Sequence, residues 1–342
     1  MRGAGYAIVE RMLMFFARTK TTSLLWLVLT LLCLAVLPAG LALAMYPERT
    51  VRIVVPFAPG GGTDVIARTL AQDMALDLGV SVIIENKPGA GTIVGTQAVA
   101  VSTADGYTLL MGTFSHAVNS SLSAKLPYDP HRDFAAVALI ARSFNIVVVN
   151  PKSSFHTIAD LIAAAKADPD KLSYGTFGVG TSAHLAGELF KDMARVNLTA
   201  VPYKGAAPAI TDLIGGQIDV MFTTVASAAS LVEGGQLRAI AVTSAERSPA
   251  FPQIPTVAEA GVPGYAAESW YGLFAPAGTP ADVIDRLNKS AALAVQSEAF
   301  RKLGVNEGLV TVALPPEALD RYVRGEEERW RRVIQDAGIK VE

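Results

Sequence analysis

Val55-Pro56-Phe57-Ala58-Pro59-Gly60-Gly61-Gly62-Thr63-Asp64 joins a β-branched run, Thr50 to Val55, to a stretch in which Ile66, Leu70, Met74 and Leu78 recur every four residues. Arg68, Gln72, Asp73 and Asp77 fall off that stripe, the pattern of an amphipathic helix with one buried face. The segment therefore reads as strand, glycine-rich turn, helix, the first half of a βαβ unit. Thr63 or Asp64 is the expected helix N-cap. The helix start leaves N–H groups unpaired and carries about half a positive charge, so an anion fits there without a basic side chain. No Gly-Lys-Ser/Thr follows the glycines, which excludes a nucleotide P-loop.

A second unit of the same kind is Gly175-Thr176-Phe177-Gly178-Val179-Gly180-Thr181-Ser182-Ala183-His184, which opens a stretch patterned by Leu185, Leu189, Phe190 and Met193. Thr181 and Ser182 add hydroxyl donors to another open helix start. His184, one turn in, suits a hydrogen bond to the preceding loop as well as it suits a ligand contact. Gly178-x-Gly180-x-x-Ala183 loosely matches a dinucleotide fingerprint, but the ribose-binding acid expected about 20 residues on is missing from Asn197 to Lys204.

Outward from these two units, further apolar runs read as strands: Val80 to Ile84, Tyr107 to Met111, Asn145 to Val149, Leu172 to Thr176, Leu198 to Tyr203, Asp219 to Phe222 and Leu237 to Val242. Most are continuous rather than alternating, as strands buried on both faces are. Val283, Ile284 and Leu287, then Leu319, Tyr322, Val323, Trp330 and Val333, mark further helices. The fold class is α/β. Two strand–glycine–helix units imply two α/β lobes with a ligand cleft between them.

The chain has 342 residues, and its start has the form of an export signal. Arg2, Arg11, Arg18 and Lys20 precede an apolar run from Leu24 to Leu37, then Pro38 and Ala42-Leu43-Ala44, the three regions of a secretory signal peptide. The run is shorter than the ~20 residues that cross a bilayer as a helix. The expectation is cleavage near Ala44 and a periplasmic product. The single cysteine, Cys33, sits inside that run after Leu32, so the mature chain has no thiol and no disulfide. Without the leader the balance is 25 basic against 30 acidic residues, and no basic stripe remains for nucleic acid.

Catalytic signals are absent. The four histidines, His116, His131, His156 and His184, show no metal-ligand spacing, and no Gly-x-Ser-x-Gly elbow occurs. Neither a metal nor a cofactor is expected. Three more segments follow predicted strands and could face the cleft: Gly112 to His116, Pro202 to Gly205, and Phe222 to Thr224.

At these segments the sequence resembles the substrate-binding proteins of tripartite tricarboxylate transporters, the Bug family. The likeness runs through Pro56 to Asp64, Glu85 to Gly91, Asp105 to Leu109, Leu126 to Asp129, Gly180 to His184, Pro202 to Gly205, Gly216 to Asp219, Pro255 to Gly261 and Trp270 to Pro280. It implies a two-lobed periplasmic-binding-protein fold, type II-like, that closes on its ligand. It also implies that a small carboxylate, a di- or tricarboxylate or a related acid, is passed to a membrane permease. Lobe 1 is expected over 45–146 plus 265–342 and lobe 2 over 147–264, in a monomer. The expected ligand contacts are Phe57, Gly61, Gly62, Ser115, Thr181, Ser182, His184 and Thr224. Many family members carry an acid after the phenylalanine here numbered Phe222, whereas this chain has Thr223 and Thr224, which disfavours an ammonium-bearing ligand. The same fold could instead serve a membrane histidine kinase as a ligand sensor.

Overall fold

The computed structural model describes residues 46–336 and 339, apart from 124, 249 and 307. The expected leader, residues 1–44, lies outside the described residues.

The chain runs through β1 (Val51–Val55), α1 (Gly62–Leu78), β2 (Val82–Asn86), α2 (Ile93–Ala100), β3 (Thr108–Thr113), α3 (Phe114–Leu122) and β4 (Phe134–Val149). It continues with α4 (Ile158–Ala167), β5 (Ser173–Thr176), α5 (Ser182–Ala194), β6 (Thr199–Pro202), α6 (Ala206–Ile214), β7 (Val220–Thr224), α7 (Val225–Glu233) and β8 (Arg238–Val242). It closes with β9 (Glu268–Pro276), α8 (Ala281–Val295), α9 (Glu298–Asn306), β10 (Val310–Leu314) and α10 (Pro316–Asp336).

The strands are hydrogen-bonded in the order β2-β1-β3-β9-β4-β7-β5-β6, with β8 and β10 also on β4. Helices cover both faces. Ile53, Leu109 and Met111 point to the side where Ile66, Leu70 and Met74 of α1 pack, while Val54 and Leu110 point to the side of Phe114, Leu319 and Trp330. This is why the strands read as unbroken apolar runs. Ile66, Leu70 and Met74 are all fully buried, each burial being worth about 1.5–3 kcal/mol.

β4 is the element that joins the sheet. Its residues from Phe134 to Phe144 pair antiparallel with β9, and from Asn145 to Val149 with β7 and β8. The sequence reading found only Asn145 to Val149, because Phe134-Ala135-Ala136-Val137-Ala138 is an alanine-rich apolar stretch with no period that separates strand from helix. β9 and β10 were missed as well. β2 lies two residues later than expected, at an edge where partial burial blurs the pattern.

The N-cap of α1 is Gly61, extended at φ −86° and ψ 168°, rather than Thr63 or Asp64. Gly60, at φ +84°, turns the chain one residue earlier, so the helix starts before either side chain could cap it. Asp64 occupies the first turn instead.

Candidate ligand site

Each glycine-rich or hydroxyl-rich segment lies at the carboxyl end of a strand, where the next helix begins: β1 to α1, β3 to α3, β5 to α5, β6 to α6 and β7 to α7. Four of these helices, α1, α3, α6 and α7, begin at Gly61, Thr113, Gly205 and Thr224 with no side-chain cap, which leaves their first-turn donors to other acceptors. By contrast, α4, remote from these turns, carries a full capping box between Thr157 and Asp160.

Turns distant in sequence meet. Gly62 donates its amide to Ser227 Oγ at 2.9 Å, and Ser227 Oγ is 2.8 Å from Thr224 Oγ1. Ala58 donates its amide to the carbonyl of Lys204 at 2.9 Å, beside the start of α6. Asn145 Nδ2 donates to the carbonyl of Ser182 at 3.2 Å, and Asn145 pairs in register with Thr224. Gly62, Ser182 and Thr224 are thus brought into one cluster, to which Asn145 and Ser227 also belong.

The other expected residues take different places. Thr181 is the N-cap of α5: its hydroxyl donates to the Gly178 carbonyl at 2.7 Å and accepts from the His184 amide, so it is spent on the turn. The His184 ring accepts from the Gly180 amide at 3.4 Å, and burial holds its pKa below the usual histidine value. That is the structural role the sequence left open. Phe57 is buried, and its carbonyl accepts from Asn86 Nδ2 at 3.1 Å. Ser115 sits at the uncapped start of α3 with its hydroxyl buried, and neither it nor Thr223 Oγ1 has a partner among the described residues. A buried hydroxyl without a partner costs about 1–3 kcal/mol, so each of these two donors would gain from an acceptor.

Asp64 would repel an anion if it were free, but it is not. Its carboxylate accepts from the Gly60 amide (3.0 Å), Arg68 Nε (2.9 Å) and Asn86 Nδ2 (2.9 Å). Burial works to raise its pKa, and these three donors together outweigh burial and hold the group below the ordinary carboxylate range. Among the described residues, no group of three or more His, Cys, Asp or Glu side chains could hold a metal ion.

Beside this cluster lies a cavity of about 380 Å³. Gly91, Ile93, Asn119 and Leu122 form one wall, and the Gly178–Gly180 turn with Lys204 forms the other. None of the eight residues chosen from sequence lines it; the turns leading to Thr181 and away from Tyr203 do. Asn119 fixes the near wall by donating to the Gly91 carbonyl and to Thr92 Oγ1, both at 3.2 Å. Asn119, Asn145 and Ser227 escaped the sequence reading. Ser227 alone had a signal, a hydroxyl in the first turn of a helix that directly follows a strand.

A mixed sheet with helices on both faces, and open helix starts gathered where two sets of strand ends meet, define a periplasmic binding protein. The solved structure of the periplasmic binding protein BugD agrees with a TM-score of 0.84 at 35% identity, covering 87% of this chain and 100% of that one. The sequence model of the tripartite tricarboxylate transporter family receptor, TctC, matches residues 66–339, and the chain belongs to that family, the Bug proteins. These are receptors that bind a solute without converting it. A Rhodopseudomonas palustris protein solved with adipate is 39% identical, with a TM-score of 0.83 over 86% of this chain and 99% of that one. MatC from Rhodopseudomonas palustris, solved with bound malate, is 32% identical, with a TM-score of 0.82 over 84% and 100%.

Proposed function

We propose that the protein is exported to the periplasm, captures a small carboxylate between its two sets of strand-end turns, and hands it to the membrane permease of a tripartite tricarboxylate transporter. The observation that carries this reading is the gathering of helix starts around Gly62, Ser182 and Thr224, those of α1 and α7 without a side-chain cap, with no free acid among them. Asp64, the one carboxylate in the β1–α1 turn, is consumed by three donors. Such a site favours an anion through backbone dipoles and hydroxyls alone. The relatives solved with malate and adipate support a carboxylate as the cargo.

Residues 45–146 plus 265–342 act as one lobe and 147–264 as the other, with β4 passing between them. Ligand held by the turns of one lobe supplies contacts that favour closure of the other, and the permease reads the closed form.

The test is a thermal-shift screen of the purified protein against dicarboxylates, tricarboxylates, acidic amino acids, sugars and cationic compounds. A ligand that binds only the folded state raises the melting temperature. A shift by carboxylates is expected. A shift by sugars or cationic compounds with none by any carboxylate would overturn the reading.

A further inference from the structure

We infer that the buried hydroxyl of Thr243 is a positioning group for ligand binding: it ties together the two chain crossings between the lobes, and through Asn145 it fixes where the start of α5 sits. This rests on the two-lobe reading and adds to it a residue that no sequence motif marks.

The chain passes between the expected lobes twice, along β4 near Asn145 and again just before β9, near Ala267. Thr243, the residue after β8, stands between these crossings and is fully buried. Its hydroxyl accepts from the Asn145 amide at 2.8 Å and donates to the Ala267 carbonyl at 2.6 Å. Its own amide donates to the Asn145 carbonyl, and its carbonyl accepts from the Ala267 amide, both at 2.8 Å. Every polar atom of this residue is thus spent on the two crossings, which lie 98 residues before it and 24 after.

Two strands that cross independently can each twist alone, and the lobes they join can then take many relative orientations. Bonded through one buried group they bend as a unit, because breaking either bond strands a polar group away from water. Asn145 carries this constraint to the site. Its backbone is held by Thr243, while its side chain donates to the Ser182 carbonyl at 3.2 Å and accepts from Ser182 Oγ at 3.4 Å. It also pairs in register with Thr224. Ser182 is the first residue of α5 and Thr224 the N-cap of α7. The placement of both helix starts therefore depends on a hydroxyl bonded to neither.

Valine has the branched shape of threonine without the hydroxyl, and the backbone bonds to Asn145 and Ala267 survive the exchange. Thr243→Val therefore removes the bridge while the strands stay paired.

The experiment follows the distance between the lobes in purified protein carrying Cys33→Ser and spin labels at Leu76→Cys on α1 and Lys166→Cys on α4, both exposed positions. Distance distributions are recorded with and without malate or adipate in the parent, Thr243→Val and Thr243→Ser, alongside calorimetric titration of both acids. Thr243→Val should broaden the ligand-free distribution and weaken the acid that binds by about tenfold, because affinity scales with the fraction of molecules already holding the competent arrangement. Thr243→Ser, which keeps the hydroxyl, should restore both. In the ligand-free parent the Asn145 amide should exchange with solvent as slowly as that of Val147, a measurement that needs no variant to fold. A parent-like distribution and affinity in Thr243→Val, a loss that Thr243→Ser does not restore, or fast exchange at Asn145 would overturn this inference and leave the receptor reading in place. Binding of neither acid would count against the carboxylate reading alone, with the ligand-free distribution still deciding the role of Thr243. An inter-lobe distance that stays fixed when an acid does bind would overturn the closure reading and this inference together.

Discussion

The amide of Gly62 donates to Ser227 Oγ at 2.9 Å, joining the first turn of α1 to the first turn of α7 across 165 residues of sequence. A Cβ added at Gly62 would come within 2.8 Å of Thr224 Oγ1 and 2.9 Å of Ala226 Cβ, so only glycine allows this approach. Gly62→Ala should therefore hold the two turns apart. We expect ligand affinity to fall by about 5- to 150-fold, the binding equivalent of an overpacking penalty of about 1–3 kcal/mol, while far-UV circular dichroism stays unchanged. Unaltered affinity in calorimetry would show that the contact is dispensable for closure.

Gly91 tests the opposite side of the cavity. It sits at φ +58°, and an added Cβ would collide with the backbone carbonyl of Val179, which has no side-chain freedom to give way. Gly91→Ala should reduce affinity for any ligand that needs the two walls together. A larger radius of gyration with ligand present, measured by solution scattering, should accompany the loss.

Thr181 is a cap, so its removal should be felt before any ligand is added. Thr181→Val deletes the bonds to Gly178 and to the His184 amide and should cost about 1 kcal/mol in urea unfolding. Unchanged stability with weakened ligand binding would mean that the hydroxyl serves the ligand instead.

Asp64 links stability to acid. Its pKa is lowered in the folded state, so the stabilisation is complete above the ordinary carboxylate value, about 4, and is lost as pH falls through the lower folded value. Asp64→Asn keeps the shape but removes the charge that Arg68 and Gly60 satisfy. The variant should be less stable at neutral pH by about 1–3 kcal/mol and should converge on the parent in acid, as chemical unfolding at each pH would reveal.

His116 acts over a higher range. Its ring is buried against Phe134 and Phe274, with centroids 4.9 and 4.4 Å apart. Burial pulls its pKa down to about 4, the Pro130 carbonyl offsetting this only in part. Between pH 6.5 and 4 the unfolded chain takes up a proton that the folded chain refuses, so stability declines as pH falls across that window. The slope contributed is at most about 1.4 kcal/mol per pH unit, and His116→Phe should flatten it. His184, also lowered by burial, should add a slope of the same sign.

How far the sequence could be read depended on what each residue's signal was made of. Ile66, Leu70, Met74 and Leu78 declared α1 because burial of one helix face imposes a period, and all four are buried. The glycine runs before α1 and α5 declared turns because glycine adopts, without the steric cost a Cβ brings, the positive φ found at Gly60, Gly178 and Gly180. The long strand β4 was legible only in its last five residues, since its alanine-rich beginning owes its strand form to pairing with β9 and β10. The role of Thr181 could not be assigned, because the same hydroxyl at a helix start serves equally as cap or ligand donor.

The sequence by itself determined the class of fold, the family and the strand-end turns around which the site is built, because periodicity, turn chemistry and motif order are written locally along the chain. Only the tertiary structure decided which turns meet. Gly62 finds Ser227, Asn145 finds Ser182, and the cavity opens between Gly91 and Gly180 because the order of strands in the sheet brings together segments that no local pattern relates. Contacts across 37 residues, as between Asn145 and Ser182, or 165, as between Gly62 and Ser227, are set by sheet order and packing, which no short stretch of sequence encodes.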